Sequence, residues 1–407
     1  LNRRGFSGNV LFLSSIEASR RTPPIGAIYR DFLTLTRKTD PRPLPFPANL
    51  APVSADWKKD LSASVTSPAA LARVRPVDAA VLAPVCARYP MRINPYWLSL
   101  AQHPLDPFWR QAVPDRRELE DQAAAADPLA EEAQSPVPGL IHRYPDRVVF
   151  LVSDRCAMYC RHCMRKRRVG RSASTLREAV AAGIDYIRTT PAIEEVILSG
   201  GDPLMLEDAA LEEILSRLRE IRHVKLLRIH TRMPSSLPAR ITARLAAMLG
   251  RFHPLYVNIQ FNHPAEMTPE AAEACRRLAD AGIPLGCQSV LIRGVNDDPD
   301  TMAALIRVLL ANRVRPYYLH QMDPVQGTAH LRTPIETGLA IMTALRGRIP
   351  GIGVPQLMID LPGGGGKVPL LPDSVVSRGP ETWRVRNYNG EIFDYPVSGR
   401  PGEGDGD

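Results

Sequence analysis

Apolar and polar positions follow two regimes along the chain. From about residue 146 onward, short apolar runs recur at 147–153 (Arg-Val-Val-Phe-Leu-Val-Ser), 195–199, 225–230, 255–261, 284–291 and 315–319, and each reads as a buried strand. Between and after them lie stretches of helical period near 173–189, 206–220, 236–249, 268–281, 298–311 and 333–347. Strands alternating with helices predict an α/β fold with a parallel sheet. Six repeats in line, with no Gly-x-Gly-x-x-Gly after the first strand, favour a partial (β/α)6-type barrel over a dinucleotide-binding sheet. Residues 354–360 predict one further strand ending in a glycine run. Upstream, 56–135 reads as helices punctuated by proline, with Ala123-Ala-Ala-Ala126 among good helix formers. Residues 1–55, rich in Arg, Ser, Thr and Pro, carry no sustained period and are expected to be disordered or loosely attached. The expected division is a 1–55 extension, a 56–140 helical region, a 141–350 barrel core, a 351–397 C-terminal segment and a disordered 398–407 tail.

Composition narrows the class. With 407 residues, 44% hydrophobic and 23% charged, the chain can build a large core without disulfide staples. No apolar run approaches the ~20 residues of a membrane-spanning helix. The formal charge of +8 suggests anionic ligands, but 6% aromatic content with few aromatics among the basic residues gives no case for nucleic acid. Six unevenly spaced cysteines suit metal binding or burial in a reducing cytoplasm rather than a secreted scaffold.

After the first strand the chain reads Cys156-Ala-Met-Tyr-Cys160-Arg-His-Cys163. Three thiolates on one loop can hold three irons of a four-iron cluster, leaving the fourth free for a small molecule. A structural zinc site would need a fourth ligand, with His162 the candidate, and three inert thiols are the bland alternative. Leu198-Ser-Gly-Gly-Asp-Pro-Leu204 follows the second strand, where glycines let backbone approach a ligand; a plain turn capped by Asp202 is the simpler reading. Gln260, Gln288 and the run His230-Thr-Arg232 end later strands on the same rim. Residues 361–368, Leu-Pro-Gly-Gly-Gly-Gly-Lys-Val, fail as a phosphate loop at both ends, since Leu361 and Val368 stand where Gly and Ser or Thr are needed.

The cysteine spacing after the first strand of a repeating βα fold resembles the radical S-adenosylmethionine superfamily. The longer run Met158-Tyr-Cys-Arg-His-Cys-Met-Arg165 is similar to the lysine 2,3-aminomutases, a likeness extending from about Ile93 to Pro396. The resemblance implies a [4Fe–4S] cluster on Cys156, Cys160 and Cys163. It also implies S-adenosylmethionine against Ser199, Gly200, Gly201, Asp202, His230, Gln260 and Gln288. Pyridoxal 5'-phosphate would be bound covalently by Lys367, with Arg143, Tyr144 and Arg147 around it, largely at its phosphate. Arg165 would meet the substrate carboxylate, and Asp323 and Asp360 would hold a side-chain ammonium, which makes L-lysine the leading substrate. Lys166, Arg167 and Arg168 are expected to be solvated.

Two departures qualify the likeness. Asp298 stands where some aminomutases carry a zinc-binding Cys, and no cysteine follows Cys287, so no such zinc is expected. The run 318–330 looks more like the branch that makes (R)-β-lysine for elongation factor P, whereas the glycine run looks more like the stand-alone enzymes. A same-scaffold aminomutase for another amino acid, or a non-catalytic iron–sulfur or zinc protein, are the competing functions. A cytoplasmic homo-oligomer served by a one-electron donor such as flavodoxin or ferredoxin completes the expectation.

Overall fold

A computed structural model describes residues 56–121, 123–171 and 176–397; the expectations for 1–55 and 398–407 lie outside the described residues. Seven strands run parallel and pair in chain order: β2 (Arg147–Ser153), β3 (Glu195–Gly200), β4 (Leu226–Thr231), β5 (Leu255–Ile259), β6 (Leu285–Leu291), β7 (Val314–Gln321) and β8 (Gln356–Leu361). The order never reverses, as it would at the switch point of a doubly wound sheet, so the partial-barrel expectation holds. Two antiparallel strands flank this set. β1 (Leu140–Tyr144) pairs with β2 across the Pro145-Asp146 turn, and β9 (Gly366–Leu370) returns along β8. The strand expected at 354–360 therefore continues the main sheet. Strands β10 (Val375–Arg378), β11 (Thr382–Arg386) and β12 (Ile392–Pro396) form a separate antiparallel sheet.

One apolar core fills the space between sheet and helices, from Val148, Phe150 and Val152 on β2 to Leu319 on β7 and Leu357 on β8. The crossover helices are delimited by their caps. Thr268 accepts from Ala271 N to start Pro269–Asp280, and Asp298 accepts from Asp300 N and Thr301 N to start Pro299–Ala311. The expected 236–249 helix is broken into Met233–Ser236, a 3-10 turn at Pro238–Arg240 and Ala243–Leu249. Pro238 has no amide hydrogen to continue the ladder, and Thr242 starts a new helix as its cap.

The upstream region is a set of short helices at Trp57–Ser62, Pro68–Ala72, Ala79–Arg88, Pro95–Leu100 and Pro107–Ala112, followed by a 3-10 turn at Arg116–Leu119. The helix expected at Ala123–Ala126 does not form. Asp127 precedes Pro128 and is biased away from helix, while the Ala125 carbonyl accepts from Gln326 N at 3.0 Å and bridges to the β7 loop. Leu71, Ile93, Trp97, Leu98 and Phe108 form a second core that includes Met158 and packs against Cys160. The helical region thus buttresses the loop carrying the cysteines.

Candidate active site

The cysteine loop leaves the C-terminal end of β2 and is pinned on several sides. Tyr159 N donates to Arg92 O at 3.0 Å, and Arg161 N to Gln111 O at 2.8 Å. The Asn94 side chain, which caps Pro95–Leu100, donates to Ala157 O at 3.2 Å. Glu118, fully buried, accepts from Arg161 Nη2 at 2.5 Å and Lys166 Nζ at 2.9 Å. Burial raises the Glu118 carboxyl, but the two cations outweigh it and hold it below the usual range. Lys166 also donates to Gly327 O at 3.0 Å, while Arg167 pairs with Asp127 and Glu131. The solvated expectation for these two residues is therefore corrected: buried carboxylates upstream take up their charge.

All three thiols are free. Burial pushes Cys163 up to about 11, with Cys160 next in effect; burial also raises Cys156 well above its ordinary value, followed by Asp202, Cys163 and Cys160. The thiols thus stand near enough to oppose one another's ionisation. Among the described residues no three His, Cys, Asp or Glu converge on a single-ion site. An iron–sulfur cube asks for a different layout, one thiolate per iron. Iron bound there would offset the burial and, after it, the mutual repulsion that raise Cys156 and Cys163, so the loop fits such a cluster.

Beside this loop, β3 ends in Ser199-Gly200-Gly201-Asp202. Gly200 has φ +130°, and a Cβ there would lie 2.2 Å from Ser153 O; one at Gly201 would lie 2.3 Å from Arg155 O. The close approach that needs glycine is to the cysteine loop's own backbone, bonded through Gly201 N to Ser153 O at 2.6 Å and Asp202 N to Arg155 O at 2.7 Å. Asp202 is a buried junction, accepting from Leu204 N at 3.0 Å, Thr231 Oγ1 at 2.8 Å and Arg232 N at 2.8 Å. Ser199 Oγ accepts from Arg165 Nη1 at 3.1 Å.

Of the other rim residues, His230 and Gln288 join one polar chain. Tyr317 donates to Gln288 Oε1 at 2.9 Å, Asn258 Nδ2 donates to Tyr317 Oη at 3.0 Å, and the same amide meets His230 Nε2 at 3.1 Å. Burial, then Arg228 and Arg165, holds His230 neutral, so its Nε2 accepts that bond. Gln260 and Asn262 amides both lie 3.4 Å from His162 Nε2. His162 is likewise kept neutral, chiefly by burial, and its Nδ1 has no hydrogen-bond partner among the described residues. Arg232 turns away from the rim, donating to Cys160 Sγ, Gln111 and Glu266.

A second cluster sits where β8 and β9 pair. Asp360 lies opposite Lys367, and the Lys367 ammonium donates to Asp360 Oδ2. Asp360 Oδ1 is 3.6 Å from Arg143 Nη1 and has no hydrogen-bond partner among the described residues. Tyr144 Oη accepts from Lys367 N at 2.9 Å, so β1 holds the lysine strand. Three glycines of the run have positive φ, and at Gly364 a Cβ would lie 2.3 Å from the Gln134 amide. Gln134 in turn accepts from Arg143 Nε at 2.7 Å. Burial and then Asp360 push Asp323 up to about 7, with Lys367 pulling down, then Glu131 pushing up and Arg165 pulling down. Asp323 and Asp360 line a cavity of about 440 Å³ with Arg293, Gln321 and Thr333. Arg165 is ion-paired with Glu131 at 2.7 Å. Arg147 is directed elsewhere, gripping Asp146 at 2.8 Å over the Tyr144 ring. Sequence reasoning missed Glu131, Gln134, Asn258 and Tyr317. Each is a lone polar residue outside any motif; only a buried cation in need of a partner could have pointed to Glu131.

A partial parallel barrel with three thiols following its first parallel strand is the architecture of a radical S-adenosylmethionine enzyme. The family model for the Radical SAM superfamily matches residues 150–306, and the one for Lysine-2,3-aminomutase matches residues 342–405. The chain is 49% identical over 318 residues to the L-lysine 2,3-aminomutase of Clostridium subterminale, covering 77% of this chain and 76% of that one. It is 47% identical to the L-lysine 2,3-aminomutase of Fusobacterium nucleatum, covering 75% and 73%. It is 44% identical to the glutamate 2,3-aminomutase of Clostridioides difficile, covering 74% and 72%. The chain belongs to the lysine 2,3-aminomutase family of the radical SAM superfamily.

Proposed function

We propose that this protein moves the 2-amino group of L-lysine to C3, giving β-lysine. The observation that carries the substrate assignment is the pair of carboxylates at a cavity beside the Lys367 amine, Asp360 buried and Asp323 half-buried. Two such carboxylates repel unless a cation lies between them. A lysine ε-ammonium supplies that cation, whereas a glutamate side chain would add a third negative charge.

The residues divide among the cofactors by position. Cys156, Cys160 and Cys163 would hold the [4Fe–4S] cluster. Ser199, Gly200, Gly201, Asp202, His230, Gln260 and Gln288 would border S-adenosylmethionine. Lys367, with Arg143 and Tyr144, would hold pyridoxal phosphate, and Arg147 would join them only by leaving its pair with Asp146. When bound, the cluster and S-adenosylmethionine supply one-electron cleavage of a carbon–sulfur bond, and pyridoxal phosphate supplies a π-system to the migrating nitrogen. The chain's own work is positioning. Arg165 presents its planar fork to the substrate carboxylate, kept cationic by Glu131 against the cost of its burial. Asp360 holds the Lys367 ammonium in the free protein and takes the substrate ammonium in its place. Residues 56–140 brace the cysteine loop, 141–350 carry the rim contacts and 351–397 bring in Lys367. A low-potential one-electron donor and a reducing cytoplasm complete the setting. No described helix is long and apolar enough to cross a membrane. The exposed Phe393 and Tyr395 on the edge strand β12 support a homo-oligomer.

The test is an anaerobic assay with L-lysine and chiral analysis of the β-lysine formed. Removing one carboxylate unpairs a buried ammonium, a loss of roughly 2–5 kcal/mol. Asp323→Asn or Asp360→Asn should therefore lower lysine turnover about 30-fold or more, at ~1.4 kcal/mol per tenfold. S-adenosylmethionine binding should stay near wild type. Normal lysine turnover in both variants, or a wild type that prefers an amino acid without a side-chain cation, would sink the assignment. A pH profile gives a further sign. A bound ammonium favours ionised Asp323, so lysine affinity should rise with pH up to about 7 and level off above it. Asp323→Asn should flatten that limb. For the unliganded fold the sign is opposite: the Asp323 contribution to stability falls as pH rises from ~4, the unfolded carboxyl value, through about 7.

A further inference from the structure

Arg232 follows β4, and its side chain runs beneath the cysteine loop, 4.8 Å above the Trp97 ring and only 7% exposed. Both of its terminal nitrogens are committed, while Nε has no hydrogen-bond partner among the described residues. Nη1 donates to Cys160 Sγ at 2.9 Å, and Nη2 donates to Gln111 Oε1 at 2.6 Å and Glu266 Oε2 at 3.2 Å. The acceptors are themselves fixed. Glu266 also takes bonds from Ser235 Oγ and Gln111 Nε2, both at 2.9 Å, and Asn262 Nδ2 donates to Gln111 Oε1 at 2.8 Å. Among the described residues Cys160 alone of the three loop thiols takes a side-chain hydrogen bond. The three sulfurs are thus unequal, and one carries a fixed guanidinium.

We propose that Arg232 is a positioning residue that sets the reduction potential of the iron–sulfur centre through Cys160, with Glu266 as its counterweight. The proposal rests on the reading of the cysteine loop given above. A hydrogen bond from a cation draws electron density off a ligand thiolate, and hydrogen bonds to the sulfurs are among the factors that set cluster potentials. One electron from a low-potential donor takes the cluster from the 2+ to the 1+ state, with no bond made or broken in the protein. The added negative charge is better tolerated beside Arg232. The Glu266 carboxylate offsets part of that cation, so the two residues act with opposite signs.

The experiment is a mediated redox titration of the anaerobically reconstituted full chain with dithionite, read by electron paramagnetic resonance of the reduced cluster. Arg232→Met should move the one-electron equilibrium toward the oxidised form by about tenfold, or ~59 mV more negative. Arg232→Gln, which keeps an N–H donor without the charge, should shift it less, and Glu266→Gln should shift it toward the reduced form. A merely structural role would loosen the site in every variant and move all of them one way. If Arg232→Met does not fold, Arg232→Gln and Glu266→Gln carry the comparison through their opposite signs. Wild-type potentials in variants with normal iron content overturn the proposal and leave the cysteine reading intact. A wild-type protein with no iron–sulfur signal overturns that reading, and the proposal with it.

Discussion

Replacing any one of Cys156, Cys160 or Cys163 by alanine is expected to remove the iron–sulfur absorption and reduce S-adenosylmethionine cleavage to background. The loop supplies three ligands and the superfamily's chemistry needs one iron left open, so loss of a thiol cannot be made good by a spare ligand. The nearby His162 has an unpartnered Nδ1 among the described residues, but its ring is held through Nε2 by the Gln260 and Asn262 amides. The fold itself should survive. The loop is held by Glu118 on Arg161 and Lys166, by Asn94 on the Ala157 carbonyl and by the Gly201–Ser153 backbone bond, none of which uses a sulfur. Thermal unfolding of the metal-free variants should therefore stay close to that of the metal-free parent. Iron analysis and the reduced-state resonance signal check the expectation. A Cys→Ala variant that keeps iron and cleaves S-adenosylmethionine, or a parent that holds only zinc after anaerobic reconstitution, would refute it.

The parallel strands were legible because each is a short apolar run bounded by turn residues, whether buried at nearly every position as in β3 or alternating buried and half-buried positions as in β4 and β6. Strand β1 was not, because its His142, Arg143 and Tyr144 are polar or half-buried and owe their extended form to pairing with β2. The polyalanine segment misled for the converse reason: local propensity favoured helix, and long-range bonds from Ala125 to the β7 loop outweighed it. Within the site, the motif residues were legible, but their partners were not. Lys166 and Arg167 looked solvated because Glu118, Glu131 and Asp127 lie far upstream, and only the fold brings those carboxylates to them. The two glycines at 200 and 201 suggest close approach to a ligand, whereas the backbone they are seen to admit is that of residues 153–155.

Lys367→Ala should abolish turnover and the absorption of bound pyridoxal phosphate while leaving the iron–sulfur signal unchanged. The lysine belongs to β9, remote in sequence from the cysteine loop and anchored separately. Its amide donates to Tyr144 Oη on β1, and its strand pairs with β8 from Leu357–Leu370 to Leu361–Gly366. Truncating the side chain at Cβ leaves those backbone bonds in place. It does strand Asp360, whose Oδ2 loses the ammonium and whose Oδ1 is left 3.6 Å from Arg143 Nη1. A loss of activity in the alanine variant alone could therefore reflect either the missing nucleophile or an unpaired carboxylate. Lys367→Arg separates the two. It keeps a cation for Asp360 but cannot serve as an amine nucleophile, because the guanidinium stays protonated. If Lys367 acts through covalent attachment, the arginine variant should be as inactive as the alanine one, and borohydride followed by tryptic mapping should label Lys367 in the parent and no lysine in either variant. If the role were only to neutralise Asp360, the arginine variant would recover most of the activity. That recovery, or borohydride labelling of another lysine in the parent, would remove Lys367 from the centre of the mechanism.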